Sequence, residues 1–197
     1  LDSSGDSLHK RGYRLQTNVA PLNEILAAGL ILLTGWDKKT PLYDPMCGSG
    51  TILTEAAMIA HNVAPGLYRR DFGFTHWKDF DEELFKQVIK DARAQEDPDN
   101  DVLIAGSDID RDYVEAARNN ISSAELDDYI RVKTADFKET QKPAEKGILI
   151  VNPPYNERLV NENINNLYKM IGDTLKTNYQ DWDAYVFTGN LEAAKNI

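Results

Sequence analysis

Apolar residues recur with helical spacing in the first half of the chain. Between residues 21 and 33 they fall at positions 22, 25, 26, 29 or 30, and 33, which is the spacing of one helix face, and Pro21 suits the first turn. A run of good helix formers predicts a second helix over 51–61. Amphipathic spacing predicts a third over 81–95. Residues 62–80 have no clear period and predict an irregular insertion.

From residue 102 onward, short β-rich runs alternate with helical runs. The pattern predicts strands over 102–107, 129–134, 147–151 and 184–188, helices over 111–122 and 163–176, and an earlier strand at Leu42-Tyr43. Strands that alternate with helices indicate βαβ units, and therefore a mostly parallel, doubly wound α/β sheet with helices on both faces. The 197 residues fit a single domain.

Composition narrows the class of protein. The 42% of hydrophobic and 27% of charged residues fit a globular chain rather than a disordered one. The longest nearly uncharged apolar stretch, 25–33, is far shorter than the roughly 20 residues that cross a bilayer, so we expect no membrane contact. Residues 1–14 are polar and contain no secretory signal core. With Cys47 as the one cysteine, no internal disulfide is expected, which suits the cytoplasm.

The net charge of −10 argues against a surface that grips nucleic-acid phosphates everywhere, because such binding depends on lysine and arginine. The charge is uneven, since the acidic excess falls after residue 70. A polyanion would therefore meet the amino-terminal part, where Lys10, Arg11 and Arg14 cluster. The equally weighted alternative is that these three are solvated loop charges.

A glycine turn, Gly48-Ser49-Gly50, lies between the first predicted strand and the second predicted helix. Glycines without a Cβ let the backbone approach a ligand, and the helix that follows offers free N–H groups. The turn lacks the Gly-Lys-Ser/Thr of a Walker site, and Leu53 stands where a dinucleotide fingerprint needs its third glycine. The turn therefore predicts a nucleoside site that is not built for phosphate.

Aspartates follow three predicted strands, at Asp44, Asp108 and Asp136. Ligands of open parallel sheets bind at the carboxyl ends of the strands. A carboxylate there repels pyrophosphate and attracts a cation, which favours S-adenosylmethionine. We expect Asp44 to attract its amino acid group, Asp108 to accept the ribose hydroxyls and Asp136 to accept the adenine amine. Taken singly, each aspartate is also typical of a helix cap or turn.

The segment Asn152-Pro153-Pro154-Tyr155 follows the apolar run 148–151. Prolines donate no N–H, so the carbonyls of Asn152 and Pro153 can face outward and, with the Asn152 side-chain oxygen, hold an exocyclic amine during methyl transfer. Tyr155 would stack on a flipped base. Guanine N2, adenine N6 and the glutamine amide all present a planar NH₂ group, so this motif leaves the acceptor open.

Other candidate chemistry is weak. The three histidines show no metal-ligand spacing with one another or with Cys47, so no metal is expected, and Cys47 itself fits a small buried residue better than a nucleophile. Phe72, Phe74 and Trp77 are interpreted as the core of the insertion rather than as a base-stacking surface. A non-catalytic binding module or an NAD oxidoreductase is a further alternative, although the 58 residues from Gly50 to Asp108 are too many for nicotinamide.

The ordered motifs together resemble the bacterial ribosomal large-subunit RNA guanine-N2 methyltransferases, an RNA methylase family often fused to a THUMP domain. The resemblance rests on Asp-Pro-Met-Cys-Gly-Ser-Gly-Thr at 44–51, Glu-Ala-Ala at 55–57, Ala-Pro-Gly at 64–66, Gly-Ser-Asp-Ile-Asp at 106–110, Asn-Pro-Pro-Tyr at 152–155 and the run 8–14. It implies a Rossmann-like fold, S-adenosylmethionine as donor and a guanine amine of ribosomal RNA as acceptor.

The resemblance also implies a domain plan. Residues 1–197 would form one methyltransferase catalytic domain, with 1–35 as an amino-terminal segment plus first helix and 62–100 as an insertion plus helix. The THUMP region does not lie in this chain, and we expect an excerpt that stops before the closing β-hairpin, so ribosomal RNA would be held partly by regions outside it. Asn156 departs from the glycine that family members usually have there.

Overall fold

The computed structural model describes residues 3–15, 22–154 and 161–197. Its centre is one sheet of parallel strands in the order β3-β2-β1-β4-β5. The strands are β1 Leu42–Asp44, β2 Ile104–Asp108, β3 Ile130–Thr134, β4 Gly147–Val151 and β5 Trp182–Val186. The chain order reverses between β1 and β4, which makes their carboxyl ends the switch point where open sheets bind ligands.

Helices connect the strands. They are α1 Glu24–Leu33, α2 Thr51–Ala60, α3 Glu82–Arg93, α4 Arg111–Ser123, α5 Asn161–Asn178 and α6 Leu191–Ala194, with short 3₁₀ helices at Gly73–His76 and Phe137–Glu139. The first helix begins later than its apolar pattern predicts, because the side chain of Asn23 accepts the N–H groups of Ile25 and Leu26 and caps it there. No helix in the described ranges is long and apolar enough to cross a membrane.

The sheet is buried on both faces at β4, as the run of apolar residues in this strand predicts. Ile148 and Ile150 of this strand belong to a core cluster with α2 and α4. The alternate residues, Leu149 and Val151, belong to a second cluster with Ile171 of α5. Successive side chains of a strand point to opposite faces, so these clusters confirm the predicted doubly wound arrangement.

The insertion packs its own aromatic core against α3. The rings of Phe72 and Phe74 lie 5.1 Å apart, and Phe74 meets Phe85 of α3 at 5.4 Å. This confirms the structural interpretation of Phe72 and Phe74. The interpretation is wrong for Trp77, which follows the 3₁₀ helix and is 47% exposed.

Candidate active site

The glycine turn connects the ends of β1 and β2. The N–H of Cys47 donates to the carbonyl of Ser107 at 2.9 Å, and the N–H of Gly50 donates to the carbonyl of Cys47 at 2.8 Å. Gly48 and Gly50 have φ values of 53° and 81°, a left-handed conformation in which glycine lacks the steric cost of a Cβ. The turn therefore depends on both glycines.

Asp108 is hydrogen-bonded to the turn. Its Oδ2 accepts the N–H of Gly48 at 2.9 Å, and its Oδ1 accepts the N–H of Asp110 at 3.0 Å. Burial raises the pKa of Asp108. A carboxylate has about four acceptor positions, so two remain for the hydroxyls of a ligand.

Asp44 ends β1 with its side chain 1% exposed. Its Oδ1 accepts the N–H of Met46 at 3.1 Å. Burial raises the pKa of Asp44 to about 8, and the nearby Asp108 carboxylate raises it further in the same direction. At pH 7 the ionised form of Asp44 is thus favoured when a cation comes close to it.

A cavity of about 620 Å³ opens at these strand ends. This active-site cavity has a volume typical of small-molecule sites. Its described lining brings together most of the residues that the sequence predicts, namely Asp44, Gly48, Asp108, Asp136, Asn152, Pro153 and Pro154. The charged part of that lining is four aspartates and one lysine, Lys138, so it suits a cationic ligand and opposes a pyrophosphate.

Gly50 does not line this cavity in the described part of the chain. A Cβ at Gly50 would stand 3.1 Å from the Cβ of Ala117. Gly50 therefore faces α4 and allows α2 and α4 to approach closely, whereas a Cβ at Gly48 would meet open space. Of the two predicted glycines, only Gly48 faces the cavity.

Asp136 lies in the cavity with a second role. Its Oδ1 accepts the N–H of Lys138 at 3.1 Å and caps the 3₁₀ helix, and its Oδ2 pairs with Lys138 Nζ at 2.9 Å. Both oxygens thus contact one neighbour, and an adenine amine would use the acceptor positions that remain on them.

Asn152 follows β4 and lines the cavity. Its Oδ1 is buried and has no hydrogen-bond partner among the residues that the structure describes. A buried acceptor without a partner costs about 1–3 kcal/mol, so this oxygen at the cavity wall is a candidate acceptor for a ligand group. Tyr155, the predicted stacking residue, lies outside the described residues.

Sequence reasoning missed several residues of the site. Tyr113, in the first turn of α4, lines the cavity. Asn120, which is 1% exposed, donates from Nδ2 to the carbonyl of Ser49 at 3.1 Å and accepts the N–H of Leu15 at 2.9 Å through Oδ1. An asparagine on an otherwise apolar helix face was the signal that could have found it.

Two of the three residues in the basic cluster near the amino terminus, Arg11 and Arg14, fit neither prediction made for the cluster. Arg11 Nη2 lies 3.5 Å from Glu55 Oε2, and Arg14 Nε lies 3.4 Å from Glu24 Oε1, and none of the four side chains is more than 14% exposed. These arginines are therefore neither solvated nor free for a polyanion. Of the cluster, only Lys10 is exposed, 3.3 Å from Asp6.

Cys47 is buried, as the sequence indicates, and burial raises the pKa of its thiol. A thiol with a raised pKa is a poor nucleophile. No group of three or more His, Cys, Asp or Glu side chains that could hold a metal occurs in the described ranges.

A parallel sheet of this strand order, with acidic strand ends and an Asn-Pro-Pro segment after β4, is the arrangement of a Rossmann-like methyltransferase. The chain belongs to the UPF0020 family, the RMKL-like methyltransferase domain, which it matches over residues 11–197.

Similar proteins agree with this family. The ribosomal RNA large subunit methyltransferase K/L of Desulfotalea psychrophila is 44% identical over 205 residues, which are 100% of this chain and 28% of that protein. The crystal structure of SMU.472 complexed with SAH superposes with a TM-score of 0.90 at 39% identity, covering 99% of this chain and 51% of that one. A Listeria monocytogenes structure described as "a predicted N6-adenine-specific DNA methylase" gives 0.91 at 38% identity, with the same coverage. The chain thus spans about half or less of these proteins.

Proposed function

We propose that the active-site cavity binds S-adenosylmethionine. Asp44 would meet its ammonium group and Asp108 its ribose hydroxyls, while Gly48 leaves space for the ligand and Asp136 borders the adenine. The acidic lining, with its buried carboxylates, supports this choice. SMU.472, which is 39% identical to this chain, was solved with S-adenosylhomocysteine, the product of the same cofactor.

The methyl acceptor in this proposal is a planar amine held by the Asn152-Pro153-Pro154 segment. The single observation that carries it is that Asn152 Oδ1 has no partner among the described residues and lies at the wall of the same cavity as the acidic residues. The Asn152 oxygen and the Pro153 carbonyl would accept the hydrogens of the amine. Tyr155 would stack on its ring.

When bound, S-adenosylmethionine supplies an electrophilic methyl group on a sulfonium. The chain contributes position: Asn152 and Pro153 fix the amine nitrogen, and their oxygens favour the positive charge that develops there. No dedicated strong base would be required before the transfer, because a neutral amine accepts the methyl group and carries the positive charge afterwards. The extra proton on the methylated nitrogen would then pass to water.

We propose guanine N2 of large-subunit ribosomal RNA as the acceptor. Relatives named ribosomal RNA large subunit methyltransferase K/L, about 40% identical over the full chain, support RNA. In this proposal residues 1–197 act as one catalytic domain, with 62–100 as an insertion plus helix. The reaction would take place in the cytoplasm with the ribosome, and ribosomal RNA would be held partly by regions outside this chain.

The acceptor is tested by methyl transfer from labelled S-adenosylmethionine to large-subunit ribosomal RNA, to duplex DNA and to a release-factor protein. We expect label in the RNA and N2-methylguanosine in its nucleoside digest. The description of the Listeria structure makes adenine N6 in DNA the second candidate. Label in DNA alone, as N6-methyladenine, would replace the RNA proposal with that one.

The role of Asn152 is tested by Asn152→Ala beside a matched control, Asn166→Ala, which removes an exposed amide of α5. Loss of one acceptor that acts in the transition state should lower kcat by about 10²- to 10³-fold. The Kd for S-adenosylhomocysteine should change less than about twofold, because Asn152 is assigned to the amine and not to the cofactor. Full activity of Asn152→Ala would refute this assignment.

A further inference from the structure

A second cavity, of about 590 Å³, lies apart from the strand ends. Its walls come from residues 6–14 of the amino-terminal segment, which we define as residues 3–15, from the start of α1 and from residues 69–71 of the insertion. The described lining includes four basic residues, Lys10, Arg14, Arg69 and Arg70, together with His9. It also includes three acidic ones, Asp6, Glu24 and Asp71.

One side chain, Arg69, holds two of these walls together. Its Nη1 donates to the carbonyls of Ser7 and Lys10 at 3.0 and 3.1 Å, and its Nη2 donates to those of Ser4 and Asp6 at 3.0 and 2.9 Å. A guanidinium presents its donors in a fixed planar fork, so four such bonds fix the segment against the insertion.

Close backbone contacts reinforce this junction. A Cβ at Gly12 would fall 2.1 Å from the carbonyl oxygen of Tyr68, and one at Gly5 would fall 3.0 Å from the backbone nitrogen of Gly73. Only glycine permits these approaches. The second cavity is therefore formed by two segments packed directly on each other, and its shape is set before any ligand arrives.

The charges in this cavity leave a formal excess of one positive charge, since four lysine and arginine side chains line it with three carboxylates, one of which, Asp71, lies 3.1 Å from His76. The carboxylate of Glu24 is matched by Arg14. Arg69 is bound to carbonyls, and no carboxylate partner is found for it in the described part of the chain. Arg70 is exposed and has neither an ion pair nor a hydrogen bond in that part. The Lys10–Asp6 pair is exposed, and such pairs contribute little, so Lys10 can exchange partners.

The second cavity adjoins the active-site cavity through Arg14. Its Nη2 donates to the carbonyl of Leu22 at 2.8 Å and to Thr51 Oγ1 at 3.0 Å. Leu22 and Thr51 line the active-site cavity, whereas Arg14 lines the second one. Arg14 is thus part of the wall between the two cavities, and groups bound in them would be neighbours.

We propose that the second cavity binds the phosphodiester backbone of single-stranded RNA next to the nucleotide that enters the active-site cavity, with Lys10 and Arg70 as the phosphate contacts. This inference rests on the proposed function. Basic side chains without firm partners are the usual phosphate contacts of nucleic-acid binders, and they position the strand without reading its sequence. This local excess of positive charge contrasts with the net charge of −10 of the whole chain.

The test measures binding of the 197-residue chain to a fluorescein-labelled, random-sequence RNA of about 12 nucleotides over a range of salt. The Lys10→Ala/Arg70→Ala double variant removes both contacts. We expect weaker binding, and a slope of log K against log salt that is smaller in magnitude by about 0.7 for each lost contact. Lys146→Ala, an exposed residue just before β4 at the amino-terminal end of the strands, is the control with an equal charge change per residue and should match the wild type.

Two further measurements separate the outcomes. The affinity of the double variant for S-adenosylhomocysteine and its thermal unfolding should match those of the wild type, which shows that the fold and the cofactor site are intact. Inorganic phosphate at constant ionic strength should not displace the RNA; displacement would mean a site for free phosphate and overturn the proposal. An unchanged affinity and salt slope in the double variant would overturn it as well.

The experiments distinguish a failure of the proposed function from a failure of the backbone site. RNA binding that depends on Lys10 and Arg70 without methyl transfer to ribosomal RNA would keep the backbone site and reject the acceptor. Methyl transfer to ribosomal RNA by a double variant with wild-type KM would keep the acceptor and reject the backbone site.

Discussion

The carboxylate of Asp108 accepts the backbone N–H of Gly48 at 2.9 Å, which fastens the end of β2 to the glycine turn that follows β1. The same side chain also accepts the N–H of Asp110 at 3.0 Å. Asp108 therefore maintains the shape of the site in addition to facing the cavity. A substitution of Asp108 should therefore be tested for both stability and ligand binding.

Asp108→Ala should lower the free energy of unfolding by about 2–4 kcal/mol, because two backbone N–H groups lose their acceptor. Asp108→Asn should cost less, since one acceptor oxygen remains. Both variants should bind S-adenosylhomocysteine at least about tenfold more weakly if the ribose rests on this carboxylate. Urea unfolding and calorimetry measure these effects. The exposed Asp112→Asn is the control, and an Asp108→Ala variant as stable as wild type would contradict the structural role.

Cofactor binding should depend on pH through Asp44. Burial raises the pKa of Asp44 to about 8, so most of this carboxyl group is protonated at pH 7 in the free protein. A cationic ligand prefers the ionised form, so binding should release close to one proton at pH 7, and affinity should rise up to about tenfold per pH unit below pH 8. Calorimetry with S-adenosylmethionine in buffers of different ionisation enthalpy measures this release.

Asp44→Asn is the matched variant for that experiment. It cannot ionise, so proton release should fall by nearly one and the affinity at pH 9 should drop. The ligand's own amine also titrates, and comparison with the variant removes that contribution. Equal proton release by wild type and Asp44→Asn would show that Asp44 does not meet the ligand's charge.

Asp44 should also affect the stability of the free protein. Its pKa is higher in the folded chain than in the unfolded one, so the folded state binds more protons between about pH 4 and 8. Stability should therefore fall as pH rises through that window, by up to about 1.4 kcal/mol per unit from this group. The free energy of unfolding of Asp44→Asn should vary less over the same range, and a parallel course of the two profiles would contradict this.

The two glycines of the turn should respond differently to alanine. Both adopt positive φ, which costs alanine about 1–2 kcal/mol. Gly50→Ala adds a contact with Ala117 and should destabilise the chain more. Gly48→Ala places its methyl group in open space at the cavity, so it should weaken S-adenosylhomocysteine binding more than it weakens folding. In chemical unfolding Gly50→Ala should be the less stable variant, and in calorimetry Gly48→Ala should lose more affinity.

Arg69→Lys keeps the charge and loses the planar fork that binds four carbonyls. We expect the free energy of unfolding to fall by about 1–3 kcal/mol and amide exchange to quicken in residues 3–15. Arg70→Lys is the adjacent control, because Arg70 is exposed and unpaired in the described part of the chain. Unchanged exchange in Arg69→Lys would show that other contacts hold the amino-terminal segment.

The strands of the sheet could be predicted because the hydrophobic pattern of each strand lies in its own residues. β4 falls at the predicted residues since all five of them are buried. β5 was placed two residues late, because it begins at Trp182, whose ring covers Gly147 so closely that a Cβ there would stand 2.3 Å from it. A contact between distant positions decides that boundary, and local pattern does not contain it.

In the candidate site too, local patterns could be predicted from the sequence and contacts between distant residues could not. Asp44, Asp108 and Asp136 line one cavity, as expected when the carboxyl ends of parallel strands meet at one edge. Two roles could not be predicted from the sequence because they depend on tertiary contacts. Gly50 allows the close approach of Ala117, and Glu24 balances the charge of Arg14. Residue type alone gave no sign of either partner.

Alkylation of the buried Cys47 can be used to follow the accessibility of the glycine turn. This residue is the single cysteine of the chain, and it is buried inside the glycine turn with a thiol whose pKa is raised. Cys47 also lines the active-site cavity, so a thiol reagent can reach it through the cavity or when the turn opens. The rate of alkylation under native conditions therefore reports how accessible the glycine turn is, and a ligand bound over the turn should slow this rate.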